Sequence, residues 1–160
     1  MIRRTALLLA VILVNTPREA RAQSAADSAA IQRAALDYVE GFYEGDSTKH
    51  TRSIRPDVYK YGFWLPRDST RYVGEQMTWP QFHEYTTRFR TRGTKTPATA
   101  PREIRLLDVQ DQTASAKLTA WWGTDYLLLG KYDGRWMISH VLWQSPPRAP
   151  NRRAASPGGA

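Results

Sequence analysis

From Arg102 to Gln144 the apolar residues recur with a period of two, in runs at about 102–110, 113–122, 125–132 and 135–144. This stretch limits the possible folds more than any other, because alternation of that kind gives each strand one face to bury and one to leave in solvent. Asp133-Gly134 is the strongest two-residue hairpin signal in the chain, Gly123-Thr124 reads as a second turn and Asp111-Gln112 as a weaker third. The expectation is a four-stranded antiparallel meander that needs a cover.

The cover lies upstream. Ile31, Ala34, Ala35, Tyr38, Val39, Phe42 and Tyr43 mark one face of a helix expected over about 25–44, with Gly45 as a left-handed cap. Asp46 is placed to cap a second helix through about Ser53, and Arg55-Pro56 stops it by forcing extended backbone. Residues 58–64 alternate as a strand, with Tyr59, Tyr61 and Phe63 on one side and Val58, Lys60, Gly62 and Trp64 on the other; residues 71–76 read as a short return. Thr78 with Gln81 forms a capping box, and Pro80 sits in the first turn of a third helix that carries Phe82, Tyr85 and Phe89 to near Gly93. Residues 94–101 form a loop.

Both ends of the chain differ from this middle. Arg3 and Arg4, an apolar run over residues 5–14, and Ala20-Arg21-Ala22 before Gln23 have the layout of a cleavable signal peptide, residues 1–22. The run is too short to span a bilayer, so no membrane insertion is expected, and the product is expected in the periplasm or outside the cell. Residues 23–146 form one domain, held without disulfides since cysteine is absent, and 147–160 a disordered tail. The net charge of +8 comes mostly from the two ends, and the domain's charges are interspersed, which argues against a nucleic-acid partner.

Counting back from the Asp133-Gly134 turn puts Leu127, Leu129, Trp136, Ile138, His140 and Leu142 on the face that carries Asp125. The Gly123-Thr124 turn adds Trp122, Ala120, Leu118 and Ala116. That apolar face should look toward the helices. Asp125 and His140 share it within diagonal reach, a carboxylate and an imidazole suited to proton transfer. His50, His83 and His140 show no metal-binding spacing, and neither a nucleophile elbow nor a phosphate loop is present. Neither metal nor cofactor is expected. Tyr38, Phe42, Tyr61, Phe63, Trp64, Tyr85, Leu118, Trp122, Leu127 and Ile138 are the candidate lining of a pocket for a small planar or apolar molecule. The opposite face gathers Trp121, Tyr126, Val141 and Trp143 as an apolar patch.

Three helices ahead of a meander make an α+β domain. The segments 38–46 (Tyr-Val-Glu-Gly-Phe-Tyr-Glu-Gly-Asp), Arg55-Pro56-Asp57, Asp125-Tyr126-Leu127, 131–136 (Lys-Tyr-Asp-Gly-Arg-Trp) and Val141-Leu142-Trp143 resemble the nuclear transport factor 2-like, or SnoaL-like, superfamily, in the branch named "putative lumazine-binding". The resemblance covers nearly the whole mature chain. It implies a cone, three N-terminal helices packed on a curved antiparallel sheet, and a homodimer through the outer sheet face. Many members of the branch have a histidine before the proline after the second helix, where this chain has Arg55. The leading functional expectation is an exported binding domain. The alternatives are a cofactor-free isomerase, dehydratase or cyclase using Asp125 and His140, and an assembly module with no ligand.

Overall fold

The computed structural model describes residues 17–93 and 95–148, with side chains from Ala25 onward. The expected leader up to Thr16, and the tail from residue 149, lie outside them. Three helices, α1 (Pro17–Glu44), α2 (Ser47–Ser53) and α3 (Trp79–Thr91), combine with six strands: β1 (Ile54–Trp64), β2 (Val73–Met77), β3 (Glu103–Val109), β4 (Thr113–Ala120), β5 (Gly123–Tyr132) and β6 (Arg135–Gln144). They form one curved sheet in the order β2-β1-β6-β5-β4-β3. Every pairing is antiparallel except β1 with β6, so the sheet is mixed rather than wholly antiparallel.

The helical stripe does what its spacing predicts. All seven apolar positions of α1 from Ile31 to Tyr43 are buried, although the helix starts at Pro17 and not near Ala25. Gly45 ends it at φ 68°, and Asp46 caps α2 by accepting the Thr48 N–H at 2.9 Å. Arg52 of α2 then clamps Asp37 of α1 through two bonds of 2.6 Å. Glycine at position 41 lets the two helices approach, since a Cβ there would fall 2.3 Å from the His50 ring. At α3 the Thr78 N–H donates to Gln81 Oε1 at 2.6 Å, which is one half of the expected capping box.

Two details of the meander depart from expectation, and both matter for the site. The β4–β5 turn is Trp121-Trp122, not Gly123-Thr124, because Ala120 pairs with Gly123. Tertiary contacts set it: the Trp121 N–H donates to Tyr43 Oη at 2.9 Å, and that hydroxyl donates to the Pro101 carbonyl at 2.7 Å. Gly123 is required there, at φ 138° and with a would-be Cβ 2.0 Å from the Gln144 oxygen. Displacing this turn leaves the β4 and β5 faces as expected, since the pairing moves by an even number of residues and parity survives.

In β6 parity does not survive. Leu128 pairs with His140 but Leu129 with Ile138, so Ser139 is an extra residue, a β-bulge. Its hydroxyl donates to the Leu128 carbonyl at 3.2 Å. Before the bulge Trp136 and Ile138 face inward as expected; after it the alternation inverts, and Val141 is buried while Leu142 is half exposed. The Asp133-Gly134 turn forms as predicted, both residues at positive φ.

Candidate functional site

The bulge decides what the helices cover. Val141 and Trp143 turn inward, and β1 lies parallel to β6 with Lys60 beside Val141 and Gly62 beside Trp143. Neighbours across a ladder share a face, so Val58, Lys60 and Gly62 point at the helices and Tyr59, Tyr61 and Phe63 point away. Gly62 selects this phase. A Cβ there would sit 1.8 Å from the Trp143 indole nitrogen, so no other residue leaves room for that ring.

Lys60 is therefore buried, only 5% exposed. Its Nζ donates to Tyr38 Oη at 2.6 Å and lies 4.7 Å from the Phe42 ring centroid, with the rings of Tyr38, Phe82 and Trp143 within 5.9 Å. Burial lowers its pKa to about 8, against the opposing pull of Asp125. Asp125 is itself wholly buried, and its Oδ2 accepts the Trp122 indole N–H at 3.0 Å. Burial raises the Asp125 pKa, while Lys60 and the Trp122 N–H act the other way. Its Oδ1 has no hydrogen-bond partner. Burial, and then the nearby Asp125 charge, hold the Tyr38 hydroxyl protonated well above the usual phenol range. The three groups form one polar cluster inside an aromatic shell.

A cavity of about 330 Å³ opens onto this cluster. Phe42, Tyr85, Trp121, Trp122 and Trp143 wall it, Lys60 reaches it from the sheet, and Glu75, Gln76, Met77, Gln81, Glu84 and Arg88 form its rim. That volume falls at the small end of the range typical of ligand pockets, with the usual few polar groups set in apolar walls.

Of the residues expected to line a pocket, Phe42, Tyr85 and Trp122 do so. Tyr38, Leu118, Leu127 and Ile138 are fully buried in the core. Tyr61 and Phe63 lie on the outer face, and Trp64, 39% exposed, ends β1 away from the cavity. The Asp125–His140 pair does not exist: Asp125 faces inward, whereas His140 is exposed on the outer face with its Nδ1 3.1 Å from Ser139 Oγ. The bulge at Ser139 separates them. By the same inversion Val141 and Trp143 leave the expected outer patch; Tyr126 stays there, exposed, while Trp121 lies in the β4–β5 turn and walls the cavity instead.

Sequence reasoning missed Lys60. The available signal was Gly62 two residues on, a small residue on the same face, but it has meaning only once Trp143 is known to lie beside it. His50 was also underrated. It is wholly buried, its Nε2 bonds the Tyr38 carbonyl at 3.1 Å, and burial lowers its pKa to about 4. It is therefore a neutral ring of the core. Among the described residues no cluster of His, Asp or Glu is arranged to hold a metal, and no helix is long and apolar enough to cross a membrane.

No curated protein matches the sequence. Solved structures match the fold. An NTF2-like protein of unknown function from Shewanella baltica OS155 is 19% identical, with 78% of this chain and 97% of that one covered and a TM-score of 0.57. For an NTF2-like protein of unknown function from Silicibacter pomeroyi DSS-3 the values are 16%, 76%, 98% and 0.57. For an NTF2-like protein with a cystatin-like fold from Novosphingobium aromaticivorans they are 11%, 88%, 96% and 0.58. A family model described as "Putative lumazine-binding" matches residues 26–144. That match runs from within α1 to the last residue of β6, so the fold is that of the NTF2-like structures and the chain belongs to the "Putative lumazine-binding" family.

Proposed function

We propose that this domain binds a small planar molecule in the cavity between α3, β2 and the β4–β5 turn, with the molecule's polar edge toward Lys60. The observation that carries the reading is a buried ammonium set among aromatic walls. Lys60 Nζ has three N–H donors and gives one to Tyr38. A flat ligand stacked on the indoles with a carbonyl or similar acceptor at its inner edge would take the others, satisfying donors that the apolar walls do not. The family's name makes lumazine the first probe to use.

Three of the six tryptophans border the cavity, so a bound aromatic ligand should quench the intrinsic fluorescence. Lumazine titration is expected to saturate, with Trp121→Ala weakening binding about fivefold through loss of one stacking wall. Trp121 is 55% exposed, so its removal spares the core. Absence of saturable quenching at millimolar lumazine would count against this ligand class.

A second reading concerns the outer sheet face. Tyr59, His140 and Leu128 line up across β1, β6 and β5, and so do Tyr61, Leu142 and Tyr126. Tyr59, Leu128, Tyr126 and Leu142 are each 50% exposed. An apolar sheet face of this kind favours pairing of two copies. Light scattering should find a dimer that Leu142→Asp converts to folded monomer; a wild type already monomeric at high concentration removes the reading.

A further inference from the structure

We infer that Lys60 is a carbonyl-reactive amine, and that the cavity takes planar aldehydes or ketones which it holds as imines. This rests on the binding reading above and names the chemistry of its ligand.

Geometry carries the argument. Five lysines are present, and two are tied in ion pairs, Lys49 with Glu40 and Glu44 and Lys131 with Asp27. Lys95 is exposed and Lys117 half-buried on β4. Only Lys60 borders the aromatic cavity. Tyr38 Oη accepts one Nζ proton and so holds the nitrogen in one place, next to the Phe42 and Trp143 rings that would flank a flat carbonyl compound. The burial that disfavours the ammonium leaves a sizeable fraction of neutral amine near pH 8, whereas an ordinary lysine has almost none. The same apolar shell keeps bulk water from the imine once formed.

The step balances without any oxidant or reductant. The Nζ lone pair forms the C–N bond as the carbonyl π pair moves to oxygen. Both amine hydrogens end on that oxygen, the C–O bond breaks, and water leaves with the imine in place. Tyr38 acts as a positioning residue for the nitrogen, and Asp125 acts through its charge on both groups.

The test uses the folded wild-type protein, 2-naphthaldehyde and sodium cyanoborohydride at pH 8, with intact mass and peptide mapping as readouts. One reduced naphthylmethyl adduct is expected, mapped to Lys60 and formed at least tenfold faster than at any other lysine. Lys60→Arg, which keeps the positive charge, should lose that adduct, and Tyr38→Phe should shift the pH profile of trapping as well as its rate. Because the wild-type adduct is mapped directly, the outcome does not depend on how well either variant folds. Fluorescence quenching by 2-methylnaphthalene, which has the same ring system but no carbonyl, reports pocket binding separately. If 2-methylnaphthalene binds and the aldehyde labels lysines indiscriminately or not at all, the imine inference is overturned and the binding reading stands. If neither compound binds, both fail.

Discussion

Between pH 6.5 and pH 4 the protein is expected to lose about 3 kcal/mol of folding stability through His50 alone. The unfolded histidine takes its proton near 6.5, while the folded one does so only near 4, because the ring is sealed between Phe42, Phe82 and Gly41. Across that window the unfolded chain binds more protons, so stability falls as pH falls. Asp37, Glu40 and Asp46 have lowered pKa values, and their contributions are lost at still lower pH. Asp125 is raised and so opposes the loss. His50→Gln isolates the effect, since its side-chain amide can still donate to the Tyr38 carbonyl but has nothing to titrate. Urea unfolding at pH 7 and pH 4.5 should show a loss in the wild type larger by about 2 to 3 kcal/mol than in His50→Gln. Equal losses would mean that the ring is not held neutral in the fold.

The second large effect has the opposite sign. Replacing the buried pair by Lys60→Met with Asp125→Asn is expected to stabilise the fold at pH 7 by about 2 to 3 kcal/mol. Methionine keeps the length of the stem, and the asparagine oxygen still accepts the Trp122 N–H. In the wild type Lys60 titrates near 8 when folded and near 10.5 when unfolded. Its folded-state pKa is lowered, so the penalty is complete below pH 8 and is relieved as pH rises toward the unfolded value. The advantage of the double variant should accordingly shrink between pH 8 and pH 10. Lys60→Met alone should gain less, because Asp125 then stays buried without a cation. A double variant less stable than the wild type at pH 7 would make the pair a structural element. The gain predicted here instead identifies it as a feature that folding disfavours, which is the pattern of a functional site.

How far each feature was legible follows from the range of the forces behind it. Local signals sufficed for the α1 stripe from Ile31 to Tyr43, the caps at Gly45, Asp46 and Thr78, and the Asp133-Gly134 turn, because each depends on residues within a turn or two along the chain. The family resemblance was equally visible, since it rests on contiguous segments. The site was not. Lys60 reads as a solvent-facing charge among aromatics, and its burial depends on a parallel neighbour some 80 residues away.

The sequence by itself determined the α+β class, the order of helices and strands, and the inward faces of α1, β4 and β5. Periodicity and capping are properties of neighbouring residues, so they survive without knowledge of the fold. The tertiary structure alone decided the Trp121-Trp122 turn, the bulge at Ser139, the phase of β1, and through these the cluster of Lys60, Tyr38 and Asp125 in place of Asp125 and His140. A single inserted residue reverses every later side chain of a strand. Whether it is inserted depends on how the paired strands and the covering helices fit, which no local pattern records.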